Sequence, residues 1–138
     1  MSGMTVQDVL NEKKSKKSFT IKADTKLAEV VTKLNEYDVG LLVVLDGDKI
    51  QGVVSERDFI RKALSQKMNM DSTVVSEIMT KEVICSTPSE HLVESFNKFK
   101  THKFRHLVVV DERGKLAGVF TERDITDLLL RNLKSKMS

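Results

Sequence analysis

The chain has little of several residue types that commonly stabilise small proteins or carry chemistry. Its 138 residues include one cysteine, one proline, no tryptophan and only 5% aromatic residues. The single cysteine, Cys85, excludes an internal disulfide, so we expect a reducing, cytoplasmic location. No apolar run approaches the roughly 20 residues that a membrane-spanning helix needs. The N-terminus lacks the regions typical of a signal peptide, and we expect no membrane association.

An excess of one charge is also missing. Lys and Arg number 23 and Asp and Glu number 20, which leaves a formal net charge of +3. Basic residues cluster only at 13–17 and 131–136, and such clusters are usually solvated faces. Few aromatic side chains are available to stack on bases. We therefore do not expect nucleic-acid binding, which stays as a weaker alternative.

One phrase occurs twice in the chain. Residues 52–58 read GVVSERD, and residues 118–124 read GVFTERD. Each copy follows an apolar run that contains an aspartate, at 41–46 and at 107–111. Two copies with a long period are too few for a solenoid. We therefore predict two similar halves packed about a pseudo-two-fold axis.

The spacing of apolar residues predicts the elements of each half. A helical stripe begins at Leu27, with Asp24 or Thr25 as its cap, and its counterpart follows Pro88 and Ser89. Apolar runs bounded by glycine turns predict strand hairpins. The fold class is mixed α/β, with strand, helix, strand, strand and helix in each half. Strands are predicted at 41–45, 50–54, 106–110 and 116–120, final helices at 55–67 and 121–133, and repeats at 5–68 and 74–134.

The repeated phrase ends in a hydroxyl residue followed, three positions later, by an aspartate. Asp58 and Asp124 could each accept two hydrogen bonds from a vicinal diol, which is what a ribose presents. Ser55 and Thr121, at a helix N-terminus, would bind ribose or phosphate. The alternative is a capping box, in which the same residues only satisfy the helix end.

The order of elements and the doubled Gly-Val-x-[Ser/Thr]-Glu-Arg-Asp phrase resemble a tandem pair of CBS domains, also called a Bateman module. The resemblance covers almost the whole chain, which is similar to the small stand-alone bacterial members of the family. It implies binding of AMP, ADP or ATP, with NAD or S-adenosylmethionine as further ligands, and no required cofactor. It also implies that adenine packs on the strand before the first helix of each half. Those residues are Thr20, Ile21 and Lys22 in one copy and Cys85, Ser86 and Thr87 in the other.

Several basic residues are candidates for phosphate. Arg105 and His106 stand where the resemblance implies phosphate contacts, and an arginine can donate a bidentate pair. Arg57 and Arg123 are further candidates, or they pair with the glutamates beside them. The alternative for Arg105 and His106 is a solvated helix-end cation and a satisfied strand histidine.

Catalysis is not expected. His102 and His106 are four residues apart, but no third ligand stands near them, so no metal site is predicted. Cys85 lies on a predicted strand and is more typical of a packed residue than of a nucleophile. The chain contains no P-loop, nucleophile elbow or dinucleotide fingerprint.

The final helices carry more apolar residues than one core contact needs, as in the run Leu128, Leu129 and Leu130. The resemblance implies a homodimer that meets through such helices. The sequence thus predicts an adenine-nucleotide-binding regulatory module, signalling to an unknown protein partner through conformational or dimer changes. The alternative is a ligand-free scaffold in which both motifs are only caps.

Overall fold

The computed structural model describes residues 3–13, 19–102 and 104–137. Their contacts divide them into two units, one made of residues 19–83. The other contains residues 3–13 together with 84–102 and 104–137. Helix α1 (Val6–Glu12) therefore belongs with the second half of the chain, although it precedes the first half in sequence.

The first unit contains a three-stranded sheet and its helices. Strand β1 (Thr20–Lys22) leads to helix α2 (Leu27–Tyr37), and the hairpin β2 (Leu41–Asp46) and β3 (Lys49–Ser55) follows. The strand order is β1-β2-β3, with β1 parallel to β2 and β2 antiparallel to β3. Helix α3 (Glu56–Asp58) continues directly as a π-helical segment, Phe59–Leu64, and a 3₁₀ turn occupies Val75–Glu77.

The second unit repeats this arrangement. It contains β4 (Cys85–Ser86), α4 (Leu92–His102), β5 (His106–Val110), β6 (Leu116–Thr121) and α5 (Glu122–Met137). Its strand order is β4-β5-β6, again with one parallel and one antiparallel pair. Both hairpins carry a register shift at matching places, between Val44 and Leu45 and between Val109 and Val110. The predicted mixed α/β class and its doubled order are confirmed.

Glycines make both hairpin turns possible. Gly47 and Gly114 have φ angles of +60° and +78°, in the left-handed region that other residues rarely adopt. The turn of the first hairpin spans only the residues between Asp46 and Lys49. These glycines confirm the two predicted turns.

Each unit has its own apolar core. The first is built around Leu27, Leu42 and Val54, which are completely buried. The second contains Phe99 and Phe120, whose rings meet edge to face with centroids 5.7 Å apart. Val6 and Val9 of α1 lie in this second core, and neither is more than 1% exposed. Burying such side chains stabilises the fold by about 1.5–3 kcal/mol each, so α1 is a structural part of its unit.

The predicted cap of α2 was wrong. Neither Asp24 nor Thr25 caps the helix, which begins after Lys26 without a side-chain cap. Backbone carbonyls take over this role, because the N–H groups of Leu27 and Ala28 donate to the carbonyls of Thr73 and Met70, at 2.9 and 3.0 Å. A returning loop thus satisfies the helix end, and local sequence does not reveal that loop.

The starts and ends of other helices also differ from the prediction. Pro88 and Ser89 lie before α4, which begins at Leu92, and the N–H of Leu92 donates to the carbonyl of Met4 at 3.0 Å. The helix predicted at 55–67 changes to π-helical geometry at Phe59 and ends at Leu64. The helix predicted at 121–133 extends to Met137. None of the helices in the described ranges is long and apolar enough to cross a bilayer.

Candidate functional site

The second sheet gathers several predicted site residues at one end. His106, the first residue of β5, lies opposite Thr121, the last residue of β6. Strand β4 runs parallel to β5 and pairs Cys85 with Val108, two positions from His106. Arg105 precedes β5 and Asp124 follows β6 by one helical turn. The phosphate and ribose candidates Arg105, His106, Thr121 and Asp124 therefore share one end of this sheet. The adenine candidates Cys85 and Ser86 pair with Val108 and Val109, so they lie beside the middle of β5 and toward its other end.

The first sheet has the same geometry with fewer charges. Leu41, at the start of β2, lies opposite Ser55 at the end of β3. Thr20 on β1 pairs with Val43, so it lies near the same end of the sheet. The residue before β2 is Gly40, whose carbonyl accepts from the N–H of Glu56 at 3.1 Å. Here glycine stands where the second unit has Arg105.

Thr121 and Asp124 form a reciprocal pair at the start of α5. The N–H of Thr121 donates to Oδ2 of Asp124 at 2.8 Å, and the N–H of Asp124 donates to Oγ1 of Thr121 at 3.2 Å. This is the capping box that the alternative interpretation required. The ammonium of Lys13 also lies 3.2 Å from Asp124 Oδ2 and donates to the carbonyl of Val119 at 2.6 Å.

Ser55 and Asp58 form the matching box in the first unit. The N–H and the hydroxyl of Ser55 donate to Asp58 Oδ2 at 3.0 and 3.1 Å, and the N–H of Asp58 lies 3.1 Å from Ser55 Oγ. The other carboxylate oxygen, Oδ1, accepts from the hydroxyl of Thr80 at 3.1 Å. It also lies 3.3 Å from the ammonium of Lys62.

The two carboxylates therefore differ in what they leave open. Both oxygens of Asp58 are engaged, and its side chain is 16% exposed. Oδ1 of Asp124 has no hydrogen-bond partner in the described part of the chain, and its side chain is 23% exposed. Asp124 can accept a further hydrogen bond without losing one, whereas Asp58 has to exchange partners.

Sequence reasoning missed the residues that surround the two aspartates. Lys62 follows Asp58 by four residues on one helix, a spacing that commonly pairs opposite charges. Thr80 and Lys13 are far from their partners in sequence, and no local pattern indicates those contacts. The basic cluster that begins at Lys13 was interpreted as a solvated face. For Lys13 this was wrong, because its ammonium is paired; residues 14–17 lie outside the described residues.

The predicted adenine strands expose only some of their side chains. Ile21 and Ser86 point into the cores, at 8% and 1% exposure, so only their backbone can meet a ligand. Thr20, Lys22 and Thr87 are exposed, and Cys85 is half-buried. The Ser86 hydroxyl has no hydrogen-bond partner in the described residues.

A polar network lies behind β4. Lys98 donates to the carbonyl of Cys85 at 2.8 Å and forms a salt bridge with Glu90, whose side chain is only 7% exposed. Ser95 donates to the same carboxylate at 2.6 Å. Burial alone would raise the pKa of Glu90, but the Lys98 ammonium and the Ser95 hydroxyl, which both donate to its carboxylate, outweigh it and the pKa is lowered. The network fixes the backbone of β4 from its inner side.

Cys85 is not placed for nucleophilic chemistry. Burial raises the pKa of its thiol, and the nearby Lys98 ammonium only partly opposes this effect. A thiol with a raised pKa is mostly protonated at neutral pH and reacts slowly. In the described residues no group of three or more His, Cys, Asp or Glu side chains could hold a metal ion.

The basic candidates for phosphate are accessible. Arg105, Arg57 and Arg123 are exposed, and His106 is half-buried. Arg57 and Arg123 form no ion pair with the adjacent Glu56 and Glu122 in the part of the chain that the structure describes. These guanidinium groups therefore remain possible partners of an anion.

A cavity of about 470 Å³ lies in the first unit, between α2 and the helix that follows β3, and it reaches Gly40 and Glu56 at the end of the first sheet. Its walls are mainly apolar, and none of the predicted site residues lines it. We therefore place the candidate ligand site on the predicted site residues and not in this cavity. The residues around it are Val31, Leu34, Asn35, Asp38, Val39, Gly40, Glu56, Phe59, Ile60 and Leu64.

Comparison with protein families gives a match over both halves of the chain. The model of the CBS domain matches residues 4–65 and again residues 75–131. A 17.7 kDa protein of Acidianus ambivalens is 30% identical over 115 residues, which are 83% of this chain and 68% of that protein. Inosine-5'-monophosphate dehydrogenase of Nitrosopumilus maritimus is 28% identical over 134 residues. The match covers 90% of this chain but only 27% of that enzyme.

Solved structures share the fold over nearly the full length. A protein with CBS domains from Burkholderia ambifaria has a TM-score of 0.86 and 32% identity, covering 93% of this chain and 95% of the other. A CBS domain protein of Pyrobaculum aerophilum, complexed with AMP, has a TM-score of 0.79 and 27% identity, covering 93% and 97%. The CBS domain pair of protein MJ0100, in complex with 5'-methylthioadenosine and S-adenosyl-L-methionine, has a TM-score of 0.79 and 26% identity. The match covers 94% of this chain and 98% of that one.

Proposed function

The chain belongs to the CBS domain family, and from that premise we propose that it is a regulatory module that binds an adenine nucleotide. The proposal gives it no catalytic role of its own. Ligand occupancy is reported to a protein partner through a change in conformation. The ligand is held by adenine contacts along the first strand of each sheet and by ribose and phosphate contacts at the sheet ends described above.

The observation that carries the proposal is the register of the second sheet. It pairs His106 with Thr121 at one end of the sheet, with Arg105 and Asp124 close to them in sequence, and it pairs Cys85 with Val108 at the middle of β5. A strand edge for a base, a carboxylate for a diol and cations for a phosphate are the three groups that a nucleotide requires. The open Oδ1 of Asp124 makes the second unit the better receptor for ribose.

The start of α5 adds a favourable field. Its first turn begins at Glu122, and the N-terminus of a 16-residue helix carries partial positive charge. A phosphate near this end is stabilised by that charge and by the exposed Arg123. The first unit offers a weaker nucleotide site, because Gly40 stands where the second unit has Arg105 and both carboxylate oxygens of Asp58 already have partners.

Related proteins support the ligand class. The Pyrobaculum aerophilum protein is complexed with AMP, and the MJ0100 pair with two adenosyl compounds. Matches to inosine-5'-monophosphate dehydrogenases of two archaea show that such a segment also occurs as a minor part of an enzyme. AMP, 5'-methylthioadenosine and S-adenosyl-L-methionine each contain an adenosine group, which is the part that the strand, the hydroxyl and the aspartate would recognise.

The signal follows from linkage. A ligand that binds one conformation of the module more tightly than another shifts the population toward the first. The shift cannot exceed the difference in binding free energy between the two states. ADP, ATP and NAD carry the same adenosine and phosphate groups, and they are the other ligands we propose to test.

A homodimer is the proposed assembly. Ile60 and Leu64 of the first unit are 60% and 56% exposed, and Leu130 and Leu133 of α5 are 50% and 55% exposed. Exposed apolar side chains at helical spacing commonly mark a protein contact. Size-exclusion chromatography with light scattering should give twice the chain mass, and Ile60→Glu should give a monomer. A monomeric wild-type chain at high concentration would contradict this assembly.

A thermal-shift panel tests the ligand proposal. AMP, ADP, ATP, NAD, S-adenosylmethionine and GTP are added to the wild-type chain, to Asp124→Ala and to Asp58→Ala. A ligand at 100 times its dissociation constant adds about 2.7 kcal/mol of stability, which is readily seen. We expect stabilisation by an adenine ligand and its loss in Asp124→Ala.

The structure also favours a second candidate, a scaffold in which both motifs are caps, because both capping boxes are formed. This scaffold predicts that no ligand of the panel stabilises the wild-type chain. Both aspartate variants would then unfold at lower temperature regardless of ligand. Stabilisation by an adenine ligand contradicts the scaffold.

A further inference from the structure

Each aspartate of the repeated motif is accompanied by a lysine that also binds a backbone carbonyl. Lys62 donates to the carbonyl of Ile78 at 3.0 Å while its ammonium lies 3.3 Å from Asp58. Lys13 does the same with the carbonyl of Val119 and with Asp124. The two lysines do not occupy equivalent positions of the repeat. The arrangement is therefore not a simple consequence of sequence duplication.

We propose that Lys13 makes the Asp124 site selective for anionic adenosyl ligands, that is nucleotides, over neutral adenosine and cationic S-adenosylmethionine. This inference rests on the proposed function. It assigns Lys13, which the repeated motif does not contain, as a residue that determines the charge of the ligand. The charge of Lys13 would therefore determine which of the adenosyl ligands that suit the fold binds at Asp124.

Lys13 changes the electrostatics of the Asp124 site. A bare carboxylate that binds the ribose of a nucleotide also repels the phosphate of the same ligand. The Lys13 ammonium, 3.2 Å from Asp124 Oδ2, offsets the negative charge at this point. Its positive charge adds to that of the exposed Arg105, and together they disfavour a sulfonium ligand.

The second step concerns hydrogen bonds. An ammonium has three donors, and Lys13 directs one to Asp124 and one to the carbonyl of Val119. In the ranges that the structure describes the third donor has no partner, and we expect it to bind a ligand oxygen. Because Oδ1 of Asp124 has no partner in the described residues, a ribose can bind without displacing Lys13.

The third step is the comparison with the first unit. The Lys13 side chain is 21% exposed, whereas that of Lys62 is 40% exposed and more strongly screened by solvent. Asp58 Oδ1 is shared between Lys62 and the hydroxyl of Thr80. We therefore expect charge selection to depend on Lys13 and much less on Lys62.

Equilibrium dialysis with AMP, adenosine and S-adenosylmethionine tests the inference on the full chain. The variants are Lys13→Met, Lys13→Arg, the matched Lys62→Met and the surface control Lys134→Met. We expect Lys13→Met to weaken AMP binding about tenfold, as loss of one charged hydrogen bond does. Adenosine affinity should stay within about twofold, and Lys13→Arg should retain AMP binding. Lys62→Met and Lys134→Met should change AMP affinity less than about twofold.

The outcomes separate the inference from the proposed function. If none of the three ligands binds the wild-type chain, the proposed function fails. If AMP binds but Lys13→Met changes AMP and adenosine equally, or neither, only the role of Lys13 is refuted. The wild-type chain alone gives a further test. Its preference for AMP over adenosine should decrease as salt is added, because salt screens the attraction between Lys13 and the phosphate. A salt-independent preference would also refute that role.

Discussion

At the scale of single residues, the paired aspartates show how one pattern can serve two purposes. A hydroxyl followed three positions later by an aspartate predicts both a capping box and a ribose acceptor. Both boxes are formed, at Ser55 and Asp58 and at Thr121 and Asp124. The sequence could predict these two pairs because their partners are local. It could not predict Thr80 or Lys13, which reach the aspartates through tertiary structure.

The buried salt bridge between Glu90 and Lys98 predicts a pH-dependent stability. The pKa of Glu90 is lowered from its ordinary value of 4.5, so the folded state binds the proton less readily than the unfolded state. The stability that this group contributes is present above pH 4.5 and is lost as the pH falls through the folded-state pKa. Glu90→Gln should therefore lower the free energy of unfolding by about 1 kcal/mol at pH 7, after allowing for screening at Lys98.

Urea unfolding at several pH values measures this effect. The difference between the wild-type chain and Glu90→Gln should narrow as the pH falls below 4.5. Glu94→Gln, an exposed change on α4, the helix that carries Lys98, is the control and should have little effect. A difference that does not vary with pH would contradict the role of the ion pair.

At the scale of elements, strands and hairpins were predictable and helix ends were not. The runs at β2 and β5 are almost continuously apolar, and Gly47 and Gly114 mark their turns. The start of α2 depends on carbonyls of a distant loop, so no residue near Asp24 reveals it. The change to π-helical geometry at Phe59 likewise has no counterpart in α5.

The motif glycines give a test at this scale. A Cβ at Gly52 would lie 2.6 Å from the carbonyl oxygen of Thr80, and one at Gly118 would lie 2.8 Å from Cδ2 of Leu10. A leucine side chain can rotate away, whereas the Thr80 carbonyl accepts from the N–H of Val53 at 3.0 Å. Moving that carbonyl breaks this hydrogen bond.

Gly52→Ala should therefore cost about 2–3 kcal/mol in free energy of unfolding, and Gly118→Ala about 1 kcal/mol. Urea unfolding of the two variants under identical conditions compares them directly. An equal or larger loss in Gly118→Ala would show that the contact at Thr80 is not the limiting one.

At the scale of the whole molecule, the repeat explains the fold class but not the path of the chain. The two halves have the same strand order, as the doubled phrase predicted. Helix α1 nevertheless packs its Val6 and Val9 into the core of the second unit. Amphipathic spacing shows that such a helix has a buried face, but not which core receives that face.

Val9→Ala tests this membership. Removing two buried methyl groups should lower stability by about 1–2 kcal/mol. Native-state hydrogen exchange should show lower protection in residues 84–102 and 104–137 and little change in 19–83. Gln7→Ala, an exposed change on α1, is the matched control. A loss of protection centred on residues 19–83 would show that α1 packs into the core of the first unit and would contradict its assignment to the second.

The proposed function depends above all on Asp124, through which the end of the second sheet would receive an adenine nucleotide. Isothermal titration calorimetry of the wild-type chain and Asp124→Ala with AMP is the most direct test. We expect a saturable binding curve for the wild-type chain and loss of the second-unit site in Asp124→Ala, with circular dichroism showing that the variant is folded. Equal AMP binding by both proteins, or no binding by the wild-type chain, would contradict it.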